Sequence, residues 1–121
     1  MRELSRDPGR IEHMLLAIKK IEEYTDGIAF DNFSNDSMRM HATIYNIQII
    51  GEAAYKLTTE FKQTRQEIPW KLIEGMRHVL VHDYYRIVPA AVWDVVTEDI
   101  PNIKPALQNR SNSHFAGCVM V

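Results

Sequence analysis

The chain holds a single cysteine, Cys118. No internal disulfide can form, which excludes a disulfide-stapled secreted fold. It also lacks any basic excess: 14 Lys and Arg stand against 16 Asp and Glu, a formal net charge of −2. Proteins that hold nucleic acid by bulk electrostatics are strongly basic, because neutralising phosphates supplies most of the non-specific affinity. Any contact with RNA must therefore run through a local patch or groove, expected to be shared between subunits. No run approaches the ~18 apolar residues of a membrane span. The opening stretch through Asp7-Pro8 has no apolar core for a signal peptide. The final four residues, Cys118 to Val121, mimic a prenylation box only superficially. Valine lies outside the usual terminal set, and no polybasic run precedes it. Repeats, low-complexity tracts and alternating strand patterns are missing as well. The expected location is the cytoplasm, with no membrane contact.

What is present reads as one helical domain. A chain of 121 residues buries roughly two thirds of the surface its unfolded form exposes, enough for a core without staples. Residues 1–109 are expected to form that domain, and 110–121 a polar, disordered tail. Asp7-Pro8 predicts a helix start, with Asp as cap and Pro in the first turn. Ile11, Met14, Leu15, Ile18 and Ile21 then recur at helical steps. Gly27 ends or follows this helix. Residues 30–36 predict a turn-rich loop with Ser34 or Asn35 as cap of the next helix.

That second helix is expected from about Asp36 to about Phe61. Met40, Ile44, Ile47, Gly51, Ala54 and Leu57 trace one face; Ala42, Tyr45 and Ile49 trace its neighbour. So broad an apolar arc exceeds what a surface helix needs. Either the helix is central or part of it meets a second subunit, and the small Gly51 points to close helix packing. Lys62 to Glu67 is expected as polar linker. Pro69 opens a third helix with Trp70, Leu72, Ile73, Met76, Val79 and Leu80 as its apolar members. Pro89 opens a fourth, with Val92, Val96, Ile100, Ile103 and Leu107 at regular steps. Pro101 and Pro105 predict a kink or break near Thr97–Ile100. The expected architecture is all-α: an up-and-down bundle of four main helices plus a short C-terminal helix or kinked extension.

One window concentrates reactive groups. Gly75 to Tyr85 holds Arg77, His78, His82, Asp83, Tyr84 and Tyr85 where the third helix should end. At about 100° per residue, Arg77 and His82 project roughly 140° apart, so a single helix permits their meeting without dictating it. Histidine, with an unperturbed pKa near ~6.5, serves as base or acid at neutral pH. Arginine stays charged and presents a planar fork to phosphate oxygens. Such a pair is the minimum equipment for cutting RNA without a metal. Tyrosine can position phosphate, stack on a base or carry a covalent modification. His78 and His82 also have the i, i+4 spacing of two zinc ligands, although the Glu of an H-E-x-x-H motif and a clear third ligand are missing. No metal or cofactor is expected.

The pattern Arg77-x-x-x-x-His82-x-Tyr84 resembles the signature of the HEPN ribonuclease superfamily, in its HepT-like branch. The likeness extends in order and spacing through Ile49-Ile50-Gly51-Glu52-Ala53-Ala54, Ile68-Pro69-Trp70, Gly75-Met76-Arg77 and Leu80-Val81-His82-Asp83-Tyr84. Val92-Trp93 and Glu98-Asp99-Ile100-Pro101 continue it, so that it covers roughly residues 8–108. The resemblance implies a metal-independent endoribonuclease that is the toxin of a toxin–antitoxin pair. It implies a homodimer whose paired signature helices line the RNA-cutting cleft, with Arg77 and His82 catalytic. It further implies a nucleotidyltransferase antitoxin of the MntA-like kind that silences the nuclease by placing AMP on Tyr84. His78, Asp83 and Tyr85 are supporting candidates.

Three features depart from the pattern. His78 stands where relatives often have Asn. Arg86-Ile87-Val88 replaces a small residue and a helix-capping Asp, and the tail beyond Asn109 matches nothing. Bland readings stand beside the sharp ones. Arg77 could pair with Glu74 or Asp83, Tyr84 could be a plain interface aromatic, and Glu52 could belong to a bundle-edge salt bridge. Trp70 and Trp93 are expected to pack. The alternative function is a non-catalytic helical subunit that binds RNA or nucleotide, or partners a nucleotidyltransferase.

Overall fold

A computed structural model describes residues 6–79 and 87–108, the side chains of 77–79 excepted. The expected tail, 110–121, lies outside the described residues. Helix α1 (Asp7–Thr25) buries Ile11, Met14, Ile18 and Ile21, four members of the anticipated stripe, together with Ala17. It ends before Gly27, whose φ of 72° lies in the left-handed region where only glycine sits without strain.

Asp7 does not cap α1. The cap position is Arg6, without a side-chain bond. Asp7 instead sits in the first turn with its carboxylate turned inward, 1 % exposed. There it accepts from the Thr58 backbone N–H at 3.0 Å and from Thr58 Oγ1 at 2.6 Å. A residue that looks like a local cap is in fact a clamp across the fold.

The stretch read as a turn-rich loop contains a short helix, α2 (Phe30–Ser34). Phe33 is fully buried, its ring 5.0 Å from that of Trp93, and Phe30 meets the same indole edge-on. Tertiary burial overrides turn composition here. Ser34 Oγ and Asn35 Nδ2 both donate to the Asp31 carbonyl, closing α2 rather than opening the next helix. The true cap is Asp36, whose Oδ1 accepts from the Arg39 N–H at 3.1 Å. That backbone bond, seconded by the Arg39 guanidinium, holds the Asp36 carboxyl below its ordinary range.

Helix α3 (Ser37–Lys56) is the central element, packed along both α1 and the third main helix, α5 (Trp70–Val79). Its buried arc takes in Met40, Ile44, Ile47, Ile50, Gly51 and Ala54; a buried Gly51 fits the close-packing reading. Tyr45, on the neighbouring face, stays 64 % exposed. Buried Thr43 and Asn46 donate to carbonyls one turn back, so neither leaves an unpaired side-chain donor.

The helix stops at Lys56 rather than near Phe61. Leu57 and Thr58 are extended, and Thr58 Oγ1 accepts from the Phe61 N–H to start a new helix, α4 (Thr59–Thr64). The first half of the expected polar linker, Lys62 to Thr64, is thus helical, and Arg65 to Glu67 form a turn. The Asp7 clamp explains the break: it binds the Thr58 N–H, which an unbroken α3 would use internally.

Phe61 and Trp70 pack edge to face, and Trp70 Nε1 donates to the Arg65 carbonyl. Helix α5 therefore begins beside the end of α3 and runs back along it. Trp70, Ile73 and Met76 are buried, whereas Leu72, expected in the core, is 51 % exposed.

Helix α6 (Pro89–Asp94) starts at its proline with no side-chain cap. Val92, Val96, Ile100, Ile103 and Leu107 are all buried, as their spacing predicts. The anticipated break takes a gentler form: a π-helical turn, Val95–Asp99, after which helix α7 (100–108) carries on through both prolines. Widening the turn to an i→i−5 bond, Ile100 N–H to Val95 O, eases the clash of the Pro101 ring with the carbonyl one turn back. Arg65 Nη2 donates to the Ala106 carbonyl, and Lys104 pairs with Glu22 at 2.8 Å. These bonds tie α7 to the rest. The result is the expected all-α, up-and-down bundle of four main helical arms, with no strand among the described residues. No helix of those residues is long and apolar enough to cross a membrane.

Candidate ribonuclease site

The signature residues sit on and just beyond α5. Its core side is set by Trp70, Ile73 and Met76, at steps of three. Arg77 and His78 occupy its last described turn by backbone alone. His82, Asp83, Tyr84 and Tyr85 fall within 80–86, outside the described residues, as does half of the His78–His82 zinc spacing. The structure therefore places the arginine on a helix anchored along α3.

Glu74, one of two carboxylates considered as an Arg77 partner, is engaged by Lys62 Nζ at 2.6 Å. Trp70 and Trp93 are packing residues, the first buried and bonded to a carbonyl, the second seated on Phe30 and Phe33. In the π turn, burial pushes the Asp99 carboxyl above its ordinary value of 3.8, and the nearby Asp94 charge adds to the effect. By contrast, the bond from Arg65 lowers the Glu67 carboxyl.

Along the outer face of the bundle runs a groove of about 570 Å³ between the first half of α1 and the last half of α3. Among the described residues, Arg6, Arg10, His13 and Lys56 line it, together with the carboxylate of Glu52. No motif in the sequence singles out these cations. A weaker signal was available: positions 6, 10 and 13 follow the i, i+4, i+7 rhythm of one helix face.

Comparison with known proteins decides the family. The family model of the HepT-like ribonucleases matches residues 14–110, a span that contains Arg77, His82 and Tyr84. The chain belongs to the HepT-like ribonuclease family. A protein of Thermococcus cleftensis named "Probable ribonuclease HepT" is 38% identical over 94 residues, covering 78% of this chain and 86% of its own. A candidate RNase of Caldanaerobacter subterraneus is 33% identical over 94 residues, 78% of this chain and 84% of its own. A candidate RNase of Methanocaldococcus jannaschii is 33% identical over 95 residues, with 78% and 87% covered. No solved structure matches the chain.

Proposed function

We propose that the chain is a metal-independent endoribonuclease and the toxin of a toxin–antitoxin pair. The observation that carries this reading is membership of the HepT-like ribonuclease family together with an intact Arg77-x-x-x-x-His82-x-Tyr84 window. The protein works as a homodimer, two copies of α5 bringing their signature residues to a common cleft. In the reaction the 2′-OH of the substrate loses its proton to one His82 and its oxygen bonds to phosphorus. The bond from phosphorus to the 5′-oxygen breaks, and that oxygen takes a proton from the other His82. A 2′,3′-cyclic phosphate and a 5′-hydroxyl result. Arg77 stabilises charge on the phosphoryl oxygens in the transition state. His78, Asp83 and Tyr85 support the site by orienting these groups.

Purified protein is expected to cut RNA in excess EDTA, leaving 2′,3′-cyclic phosphate ends and sparing DNA, which has no 2′-OH. Mass spectrometry of the fragments checks this. RNA binding without cleavage by highly purified protein overturns the nuclease reading and favours a non-catalytic RNA-binding subunit.

Regulation follows from Tyr84. A nucleotidyltransferase antitoxin of the MntA-like kind transfers AMP from ATP to the tyrosine oxygen, releasing pyrophosphate. The adenylate fills the cleft and its phosphate repels RNA. Co-expression with an active partner is expected to raise the intact mass by whole adenylate units, and Tyr84→Phe to abolish the gain. An unchanged mass removes Tyr84 from this role.

A further inference from the structure

Helix α5 carries, close to its signature arginine, a carboxylate able to disable it. Glu74 lies three positions before Arg77 and four before His78, the spacings at which side chains become neighbours on a helix surface. A carboxylate ahead of a cation is also the favoured order along a helix, since it suits the dipole. Left to the helix alone, Glu74 would draw the Arg77 guanidinium to itself. An arginine so held has part of its fork of donors occupied before any phosphate arrives.

The counterweight comes from another helix. Lys62, on α4, donates from Nζ to Glu74 Oε2 at 2.6 Å. The two side chains are only 18% and 25% exposed, so salt screens this pair less than it would one on the open surface. Phe61, the residue before Lys62, packs against Trp70 at the start of α5 and so keeps α4 beside that helix. Arg65, which closes α4, is committed elsewhere, to Glu67 and to the Ala106 carbonyl. Lys71 stands three positions before Glu74, but in the less favourable order and exposed to solvent.

We propose that Lys62 is a positioning residue for RNA cleavage: by neutralising Glu74 it keeps that carboxylate from capturing Arg77, whose guanidinium is then open to the phosphoryl oxygens of the substrate. The idea rests on the nuclease reading, in which Arg77 stabilises the transition state. A bridge that merely fastens α4 to α5 is indifferent to what stands one turn further along α5. A bridge that also shields Arg77 makes the state of the arginine depend on a side chain from another helix.

The test compares the full-length chain with Lys62→Met, Lys62→Arg, Glu74→Gln and the combined Lys62→Met/Glu74→Gln variant. Methionine keeps the apolar stem of lysine and removes its charge. Single-turnover cleavage of a labelled RNA is expected to slow by about fivefold in Lys62→Met, as only the fraction of molecules with an uncaptured Arg77 remains competent. Lys62→Arg keeps the cation and Glu74→Gln removes the acceptor charge, so both are expected to stay within about twofold of wild type. The combined variant is expected to recover to the same range. In parallel, isotope-labelled arginine side chains are followed by NMR, with the Arg77 Nε–H signal assigned through Arg77→Lys. That signal is expected to shift and to exchange its proton more slowly in Lys62→Met, and to return in the combined variant. Melting curves verify that every chain is folded at the assay temperature.

RNA cut at one rate by every chain overturns the proposal and leaves the nuclease standing, whether or not the Arg77 signal moves. A slower Lys62→Met that Glu74→Gln does not rescue is a loss through the fold, and overturns it as well. So does slowing with no change at the Arg77 signal. Absence of cleavage in every chain defeats the nuclease reading and with it the purpose assigned to Lys62, while the Arg77 signal still reports whether Glu74 captures the arginine.

Discussion

RNA cleavage by the His82→Ala chain is expected to fall by about 10²–10⁴-fold, the usual contribution of a positioned acid or base, with little change in RNA affinity. In the proposed mechanism the alanine removes one of the two imidazole rings of the window, His78 and His82, and leaves Arg77, the group assigned to the phosphoryl oxygens, in place. Arg77→Ala is expected to cause a loss of similar size. Arg77→Lys restores little, because a point charge does not replace a fork that bonds two phosphoryl oxygens at once. Single-turnover rates with gel-resolved RNA, alongside circular dichroism to verify the fold, make the measurement. Undiminished cleavage by His82→Ala removes that histidine from the chemistry. Moderate loss with weaker binding assigns it to positioning instead.

The second large effect is on stability. Asp7→Ala is expected to cost about 3 kcal/mol, because it strips a buried carboxylate from two donors and leaves the Thr58 N–H and hydroxyl unpaired in the interior. At roughly 4 °C per kcal/mol for a domain of this size, the melting midpoint drops by about 10 °C. Asp7→Asn keeps the shape and loses the charge, so about half that cost is expected. Glu12→Ala, on the exposed side of the same helix, is expected to move stability by less than about 0.5 kcal/mol. Urea titrations with an unchanged slope locate the effect in the folded state. Equal midpoints for Asp7→Ala and wild type contradict the clamp.

These two experiments address different layers of the molecule, and their legibility in the sequence differs for the same reason. The core was readable because helical burial repeats locally. Ile11, Met14, Ile18 and Ile21 announce their face by spacing, and Val92, Val96, Ile100, Ile103 and Leu107 do so across a π turn and two prolines. The Arg77–Tyr84 window stands out in the sequence because its residue types are chemically rare in combination, and the family match supports the ribonuclease reading.

Junctions were another matter. Residues 30–36 have turn composition, yet α2 forms there because Phe33 finds Trp93, sixty positions away in the chain. The long second helix has no internal stop signal strong enough to end it at Lys56. The stop comes from Asp7, whose carboxylate takes the Thr58 N–H. Leu72 continues an apolar pattern but faces outward, because no element packs over that side of α5 within the described residues. The groove residues escaped notice since Arg6, Arg10 and Lys56 come together only once α1 and α3 lie side by side.

By itself, then, the order of residues determined the all-α class, the four helical arms and their buried faces, and it supplied the Gly75–Tyr85 window as the candidate site. These properties depend on neighbours within one or two helical turns, where side-chain period and residue chemistry act directly. Only tertiary structure decided where helices stop, which acid clamps the bundle and which side chains line the groove between α1 and α3. Those outcomes arise from groups far apart in sequence, whose hydrogen bonds and fields exist only after the chain has folded.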